Sequence, residues 1–264
     1  MPKSFLERIL QTKKEELAHF TLPDPLDCRP HRSFRLALTH PRHQMGLIAE
    51  VKQASPSKGL FRTHLDPAVM AQSYEAAGAD AISVLTDKTY FHGSDENLVK
   101  ARRACALPVL RKDFIIDERQ IEAAARLGAD AVLLIASALD PRQLHELYLA
   151  AYERGLEALV EVHDIHQADA VLSVFTPEIV GANNRDLTTF DVSLERTAEI
   201  GSIIPKSVTF ISESGVKTAA DLFFLKNHGA QAALIGETLI KAQSISGKVE
   251  ALFGEKVNVR ASRA

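Results

Sequence analysis

The sequence has few of the features that mark secreted, membrane-spanning or nucleic-acid-binding proteins. Its 264 residues include two cysteines, Cys28 and Cys105, so we expect no disulfide framework and a reducing compartment. The longest purely apolar run, Ala131 to Ala136, is far shorter than the ~20 residues of a membrane helix. The formal net charge of −3 lacks the basic surplus of a nucleic-acid binder, although it is compatible with a small anionic substrate.

The N-terminal segment also lacks the apolar core of a signal peptide, and it carries acidic residues that transit peptides avoid. Ser4 and Glu7 match a helix capping box instead. The sequence therefore predicts a cytoplasmic protein that begins with an amphipathic helix. The apolar stripe of this helix consists of Phe5, Leu6, Ile9, Leu10 and Leu17.

From Gly46 onward, short apolar runs alternate with polar loops and with stretches of helical spacing. Each run is almost continuously apolar, which is typical of parallel strands covered on both faces. A Gly-Ala-Asp-Ala string recurs at 78–81 and 128–131, where a helix end is expected to lead into a strand. The predicted strands are 46–51, 80–86, 108–113, 130–136, 157–163, 178–184, 207–214 and 231–236.

Eight such modules predict an α/β protein of the (β/α)8 TIM-barrel type. We expect a single domain over residues 1–264, with residues 1–45 as an N-terminal helical extension. An open doubly wound sheet is the alternative. The barrel is favoured because the modules number eight and because the sequence has neither a dinucleotide-binding glycine motif nor a Walker A string.

Polar side chains stand at the ends of several predicted strands, where barrels of this type carry their catalytic groups. Glu50 and Lys52 are two residues apart and point to the same side of the first strand. Alone, they could be a structural ion pair. Lys112, Glu161 and Asn183 end three further strands, however, and this accumulation on one rim predicts a functional site.

The seventh and eighth strands end in glycine-containing turns, each before a predicted helix. Ser214-Gly215 and Gly236-Glu237 would let backbone N–H groups approach an anion. The loops after these two strands are the usual phosphate site of such barrels. The competing interpretation is that these glycines only form tight turns. Their presence in both loops favours a phosphate-binding site.

Two other strings carry less weight. Glu161, His163 and His166 do not have the one-face helical spacing of the zinc motif, so a metal site is disfavoured. Ser212 replaces the first glycine of the serine-hydrolase elbow, so that chemistry is disfavoured as well.

Six motifs, in their order along the chain, resemble the indole-3-glycerol-phosphate synthase family of tryptophan biosynthesis. The likeness extends over almost the whole chain, from the N-terminal helix to the last one. Gln53 departs from the pattern, since a basic residue is common there, but it is expected to face away from Lys52. The motifs are IAEVKQASPSKG (48–59), VLRKDFIID (109–117), GADAVLLIASAL (128–139), LVEVH (159–163), GANNRDL (181–187) and SESG (212–215).

The resemblance implies a carbon–carbon lyase, a carboxy-lyase, that needs no cofactor or metal. It would convert 1-(2-carboxyphenylamino)-1-deoxyribulose 5-phosphate into indole-3-glycerol phosphate, CO2 and water. Lys112 would be the general acid toward the ketone, and Glu161 would stabilise positive charge at the anilino nitrogen or act as a base. The implied catalytic residues are Lys112, Glu161, Lys52, Glu50, Asn183 and Ser214.

The resemblance also implies a substrate-binding set. Its members would surround the carboxylate and phosphate oxygens or form the pocket for the anthranilate ring, and residues 55–64 would act as a lid. Association with other tryptophan-pathway enzymes is left open. The implied binding residues are Ser55, Arg185, Phe91, Phe114, Leu133, Ile135, Leu187, Gly215, Gly236 and Glu237.

Two alternatives remain at this point. A sugar-phosphate isomerase such as phosphoribosylanthranilate isomerase would place a cysteine on the first strand and an aspartate on the sixth. Here these strands offer Glu50, Lys52 and Asn183 instead. A non-catalytic barrel would be expected to have lost a charged rim residue, and every such residue is present.

Overall fold

The computed structural model describes residues 4–26, 30–56, 58–61, 65–186 and 189–256. Eight parallel strands close into a barrel, in which the first strand pairs with both the second and the last. All eight predicted strands and the predicted TIM-barrel fold are confirmed. The barrel strands are β1 (Gly46–Val51), β4 (Ala81–Leu85), β5 (Val109–Lys112), β6 (Ala131–Ile135), β7 (Glu157–Val162), β8 (Ile179–Asn183), β9 (Thr209–Glu213) and β10 (Ala232–Ile235), and the two-residue strands β2 (Ala54–Ser55) and β3 (Gly59–Leu60) form a separate antiparallel hairpin.

Helices follow the barrel strands and pack around them. Within the described ranges, no helix has both the length and the apolar character needed to cross a bilayer. The helices are α1 (Phe5–Ala18), α2 (Phe34–Thr39), α3 (Pro67–Ala77), α4 (Lys88–Phe91), α5 (Asp95–Ala104), α6 (Glu118–Arg126), α7 (Pro141–Glu153), α8 (Ile165–Leu172), α9 (Glu195–Gly201), α10 (Ala219–Asn227), α11 (Glu237–Ile240) and α12 (Ile245–Phe253).

Local capping explains several of these boundaries. The predicted capping box of α1 is present, since Ser4 Oγ accepts a hydrogen bond from Glu7 N and the Glu7 carboxylate accepts one from Ser4 N. Asp66 and Asp140 cap α3 and α7, each of which has proline at its first position. Gly78 ends α3 with a φ of 100°, a left-handed conformation that favours glycine.

The two N-terminal helices cover opposite ends of the barrel. Phe34 and Leu38 of α2 are fully buried and belong to the same apolar cluster as Ile48 in the barrel interior. Arg35 of α2 pairs with Glu178, which directly precedes β8, so α2 covers the amino end. Helix α1 lies at the carboxyl end, where catalytic groups are expected.

Candidate active site

Four ionisable side chains form one layer across the carboxyl end of the barrel. Glu50, Lys112, Glu161 and Glu213 come from β1, β5, β7 and β9, which are alternate strands of the closed sheet. Side chains from alternate strands share a layer in this fold. The Nζ of Lys112 lies 3.2 Å from Glu161 Oε2 and 3.0 Å from Glu213 Oε2. We call these four residues the charged layer.

The charged layer rests on an apolar floor. Two residues earlier on the same strands stand Ile48, Leu110, Leu159 and Ile211, all of them fully buried. A dry floor screens charges poorly, so attraction and repulsion within the layer are stronger than they would be in water. Along each of these four strands, the side chains that face the barrel interior thus change from apolar to charged within two residues.

Carboxyl groups outnumber ammonium groups around Lys112, and this shifts two pKa values. Burial alone would lower the pKa of Lys112, but the three carboxyl groups of the layer outweigh burial and raise it. Burial and the nearby Glu161 carboxylate together raise the pKa of Glu213 to about 8, despite the opposing charge of Lys112. Lys112 therefore stays cationic, and Glu213 is the carboxyl group of the layer that most readily takes up a proton.

Glu161 has the opposite protonation state. Burial would raise its pKa, but the nearby Lys112 and His163 side chains and a hydrogen bond from Asn183 outweigh burial and lower the pKa below its ordinary value. His163 Nε2 lies 3.4 Å from Glu161 Oε1, and neither ring nitrogen has a hydrogen-bond partner among the described residues. His166, by contrast, is exposed on α8. Of the three residues considered as a zinc motif, Glu161 and His163 thus lie together at the site, and His166 does not.

Lys52 joins the layer from above. It follows the end of β1, its ammonium group pairs with the Glu50 carboxylate, and it lies 5.7 Å from the centre of the Phe61 ring. A Cβ atom at Gly236 would collide with the same carboxylate. A side chain at this position would therefore compete with the Glu50 carboxylate for the space beside Lys52.

One side of the site is rich in positive charge. After β9 the chain passes through Ser214 and Gly215, both with positive φ, and Asn184 Nδ2 holds this turn by donating to Ser214 O at 3.0 Å. Gly236 caps the short helix α11, and the Glu237 side chain pairs with Lys241. Three further lysines line this side, namely Lys58, Lys217 and Lys248.

The opposite side is aromatic and aliphatic. The rings of Phe91 and Phe114 lie 6.1 Å apart, and Leu133 and Ile135 complete the wall from β6. Arg185 lines the same cavity, while its guanidinium donates to Phe190 O at 3.1 Å. Helix α1 closes this side with Phe5, Leu6 and Ile9.

The charged layer, Lys52, the lysine-rich side and the aromatic side border one cavity of about 1150 Å³. Every predicted site residue that the structure describes lines it, including Ser55 on the β2–β3 hairpin. Leu187 lies outside the described residues, as do Ser57 and residues 62–64 of the predicted lid. Within the described ranges, no group of three or more His, Cys, Asp or Glu side chains is arranged to hold a metal ion.

Sequence reasoning gave no role to Glu213 or to the side chains of α1. Glu213 carries the same signal as Glu161, a carboxylate two residues after a buried aliphatic residue at a strand end. In the sequence, the more conspicuous feature at the end of this strand is the glycine that follows it, Gly215. No local sequence pattern predicts that side chains of α1 line the cavity, because that helix ends almost thirty residues before the first barrel strand.

Comparisons with known proteins agree with this geometry. The family model described as indole-3-glycerol phosphate synthase matches residues 6–252. The chain is 53% identical over 250 residues to indole-3-glycerol phosphate synthase of Geobacillus thermodenitrificans, covering 95% of this chain and 97% of that protein. It is 50% identical over 250 residues to the protein of the same name from Bacillus velezensis, covering 95% of this chain and 100% of that protein.

Proposed function

The chain belongs to the indole-3-glycerol phosphate synthase family, and we propose that the cavity described above is where it performs the synthase reaction of tryptophan biosynthesis. The substrate is 1-(2-carboxyphenylamino)-1-deoxyribulose 5-phosphate, and the products are indole-3-glycerol phosphate, CO2 and water. The observation that carries the proposal is that one cavity combines three surfaces: the lysine-rich turns, the charged layer and the aromatic wall. A phosphate, a ketone and a carboxyphenyl ring match these three surfaces in turn.

Lys112 is the general acid in ring closure. Its ammonium group stays charged because three carboxyl groups surround it, so a proton is available for the ketone oxygen as the ring carbon attacks the ketone carbon. A positioned proton donor of this kind typically contributes ~10²–10⁴-fold. Glu213 holds a proton 3.0 Å from Lys112 Nζ and can resupply it.

Loss of CO2 then restores the aromatic ring, and loss of the hydroxyl group as water completes the indole. Lys52 is close enough to the layer to engage the departing carboxylate or to protonate the hydroxyl. Glu161, which stays ionised, stabilises positive charge at the anilino nitrogen or removes the last proton. Asn183 holds a substrate hydroxyl, and Glu50 orients Lys52.

The phosphate group lies against the turns after β9 and β10. Gly215, Gly236 and Glu237 bind it through backbone N–H groups, and Ser214 and Ser55 line the same side of the cavity. The anthranilate ring lies against Phe91 and Phe114 at the other side. An apolar wall around the ring excludes water, and this strengthens the charged contacts.

Indole formation is the direct test. The purified protein is mixed with the substrate, and indole fluorescence is followed with and without EDTA and with no added metal or cofactor. A saturable rate that EDTA leaves unchanged is the expected result. A folded protein that forms no indole, or that turns over phosphoribosylanthranilate instead, would contradict the proposal.

Two further expectations accompany the reaction. A cytoplasmic location and a single domain over residues 1–264, with 1–45 as an extension, fit the small number of cysteines and the packing of α1 and α2 on the barrel ends. Fractionation of cells and a single cooperative unfolding transition would test them. Association with other enzymes of the pathway would appear as co-elution of their activities.

A further inference from the structure

A second group of buried charges lies under α1, behind the aromatic side of the cavity. Lys13 is only 3% exposed, and its Nζ lies 2.8 Å from Asp87 Oδ2 and 3.1 Å from Asp113 Oδ1. Glu16, one turn further along α1, is 2.9 Å from the same nitrogen. A lysine is unfavourable in such a position unless it is paired. We call Lys13, Asp87, Asp113 and Glu16 the Lys13 cluster.

Both aspartates are bound to the backbone that carries the aromatic wall. Asp87 follows β4 and caps α4, accepting hydrogen bonds from the backbone N–H groups of Tyr90 and Phe91 at 2.7 and 3.2 Å. Asp113 follows β5 and accepts one from the N–H group of Phe114 at 2.8 Å. Each carboxylate thus fixes one of the two cavity-lining phenylalanines and binds Lys13 at the same time.

Helix α1 supplies the third part of that wall. Ile9 lies one helical turn before Lys13 on the same face, and both are buried. Phe5 lines the cavity one turn earlier and meets the ring of Tyr90 edge-on, with ring centres 5.5 Å apart. Three of the segments that form the ring pocket are distant in the sequence, and they meet at the ammonium group of Lys13.

We infer that Lys13 is a positioning residue for the aromatic ring of the substrate, because it holds α1 against the two loops that carry Phe91 and Phe114. The inference rests on the proposed function, since it assumes that this pocket binds the ring. Lys13 itself lies outside the set of cavity-lining residues, so it acts through the wall and not by contact with the substrate.

Lys13→Met tests this role, because methionine keeps the length of the side chain but removes the charge. Two buried carboxylates then lose their shared partner, and α1 spends part of its time undocked. An incomplete pocket lowers apparent affinity by the docked fraction, whereas saturating substrate restores docking. We expect KM for the substrate to rise on the order of tenfold, with kcat within about threefold of the parent value.

Two comparisons separate positioning from general loosening. The inhibition constant of inorganic phosphate, which needs only the lysine-rich side, should stay unchanged in Lys13→Met. Lys14→Met is the matched control, because Lys14 is the next residue of α1 and is exposed. It should leave both KM and kcat at the parent values, and Lys13→Arg should recover part of the lost affinity.

Several results would contradict the inference. A parental KM in a less stable Lys13→Met protein would make the cluster a stabilising feature only. A parallel rise in KM and in the phosphate inhibition constant would mean that the whole cavity had loosened. A parent protein with no turnover at all would instead contradict the proposed function.

Hydrogen exchange on the unaltered protein decides the matter if Lys13→Met does not fold. Indole-3-glycerol phosphate should slow amide exchange in α1, and inorganic phosphate alone should not. Equal protection by both ligands, or by neither, would contradict a role of α1 and Lys13 in ring binding.

Discussion

The charged layer and the Lys13 cluster contain consecutive residues of the chain, yet they balance charge in opposite ways. Lys112 points into the barrel and meets more carboxyl groups than it can neutralise. Asp113, the next residue, lies among Lys13, Arg111 and the hydroxyl of Thr86. Burial would raise the pKa of Asp113, but these partners outweigh it and lower the pKa.

Hydrogen bonding differs in the same way. Both oxygens of Asp113 accept hydrogen bonds, from Phe114 N and from Thr86 Oγ1. In the charged layer, Glu213 Oε1 has no partner among the described residues and lies against Gly181. Buried charges that only stabilise a fold are usually satisfied, whereas strained and shifted groups concentrate where chemistry occurs. Asp113 and Glu213 show this difference.

Removing the lysine from the charged layer should have the largest effect. Lys112→Met takes away the general acid, so we expect kcat to fall about 10²–10⁴-fold while KM changes much less. The comparison with Lys13→Met is informative, because the same substitution in the Lys13 cluster should raise KM and nearly preserve kcat. Steady-state kinetics on both variants would show the contrast.

A Lys112→Met protein with kcat within tenfold of the parent would remove Lys112 from its assigned role. Circular dichroism and thermal unfolding would serve as the control that the variant is folded.

Asp113→Asn should weaken the Lys13 cluster and the stability of the protein. Asparagine keeps the shape but removes a buried charge that faces Lys13, so we expect the free energy of unfolding at pH 7 to fall by about 3 kcal/mol. The folded-state pKa of Asp113 is lowered, so its contribution is present above the ordinary value near 3.8 and is lost as pH falls through the folded pKa. Urea unfolding from pH 3 to pH 7 would measure this loss.

Asp24→Asn is a suitable control, because Asp24 is exposed and its replacement should change stability by less than about 0.5 kcal/mol. An equal effect of the two substitutions would mean that the ion pairs of Asp113 contribute little.

Glu213→Gln should show the opposite dependence on pH. The pKa of Glu213 is raised to about 8, so the folded protein retains this proton where the unfolded chain, with a value near 4.5, releases it. Its contribution to stability is therefore lost as pH rises from about 4.5 to about 8. Glutamine cannot ionise, so the variant should gain stability relative to the parent over this range, by several kcal/mol in total.

Urea unfolding of both proteins between pH 4 and pH 9 gives the measurement, and kcat of the variant should fall at the same time. A constant difference in stability across that range would show that folding does not shift the pKa of Glu213 and that the layer holds no extra proton.

The barrel could be predicted because few folds contain eight nearly continuous apolar runs that alternate with helical stretches. Most of the charged residues at the carboxyl ends of the strands could be predicted as well, because a charged residue directly after an apolar run is easily recognised in the sequence. Glu213 was given no role because each strand end was considered by itself. Its importance comes from its distance to Lys112, which no spacing in the sequence conveys.

The Lys13 cluster shows a different limit. Lys13 interrupts the predicted apolar stripe of α1 at four-residue spacing from both Ile9 and Leu17, and this signals a buried lysine. Its partners, Asp87 and Asp113, stand on two separate barrel loops. Only the closed barrel brings them together, so the lysine could be noticed in the sequence but its partners could not be identified.

His163 offers the most specific test of the contrast, and the smallest expected effect, because its ring lacks hydrogen bonds of the kind that both oxygens of Asp113 accept. The imidazole is buried beside Glu161 without a hydrogen bond to any described residue, and its Nε2 lies 3.4 Å from Glu161 Oε1. His163→Leu keeps the volume but removes the polar contact, so the protein should be at least as stable as the parent, because an unsatisfied buried polar group is lost. Its kcat should fall by roughly threefold to tenfold, because Glu161 loses part of its orientation.

His163→Gln separates the two effects, since its amide can place an N–H donor near the position of Nε2. We expect it to restore most of kcat and to lose any gain in stability that the leucine variant shows, because a buried polar group is present again. Equal kcat values in the leucine and glutamine variants would show that His163 only fills space, and Glu161 would then owe its orientation to Lys112 and Asn183 alone.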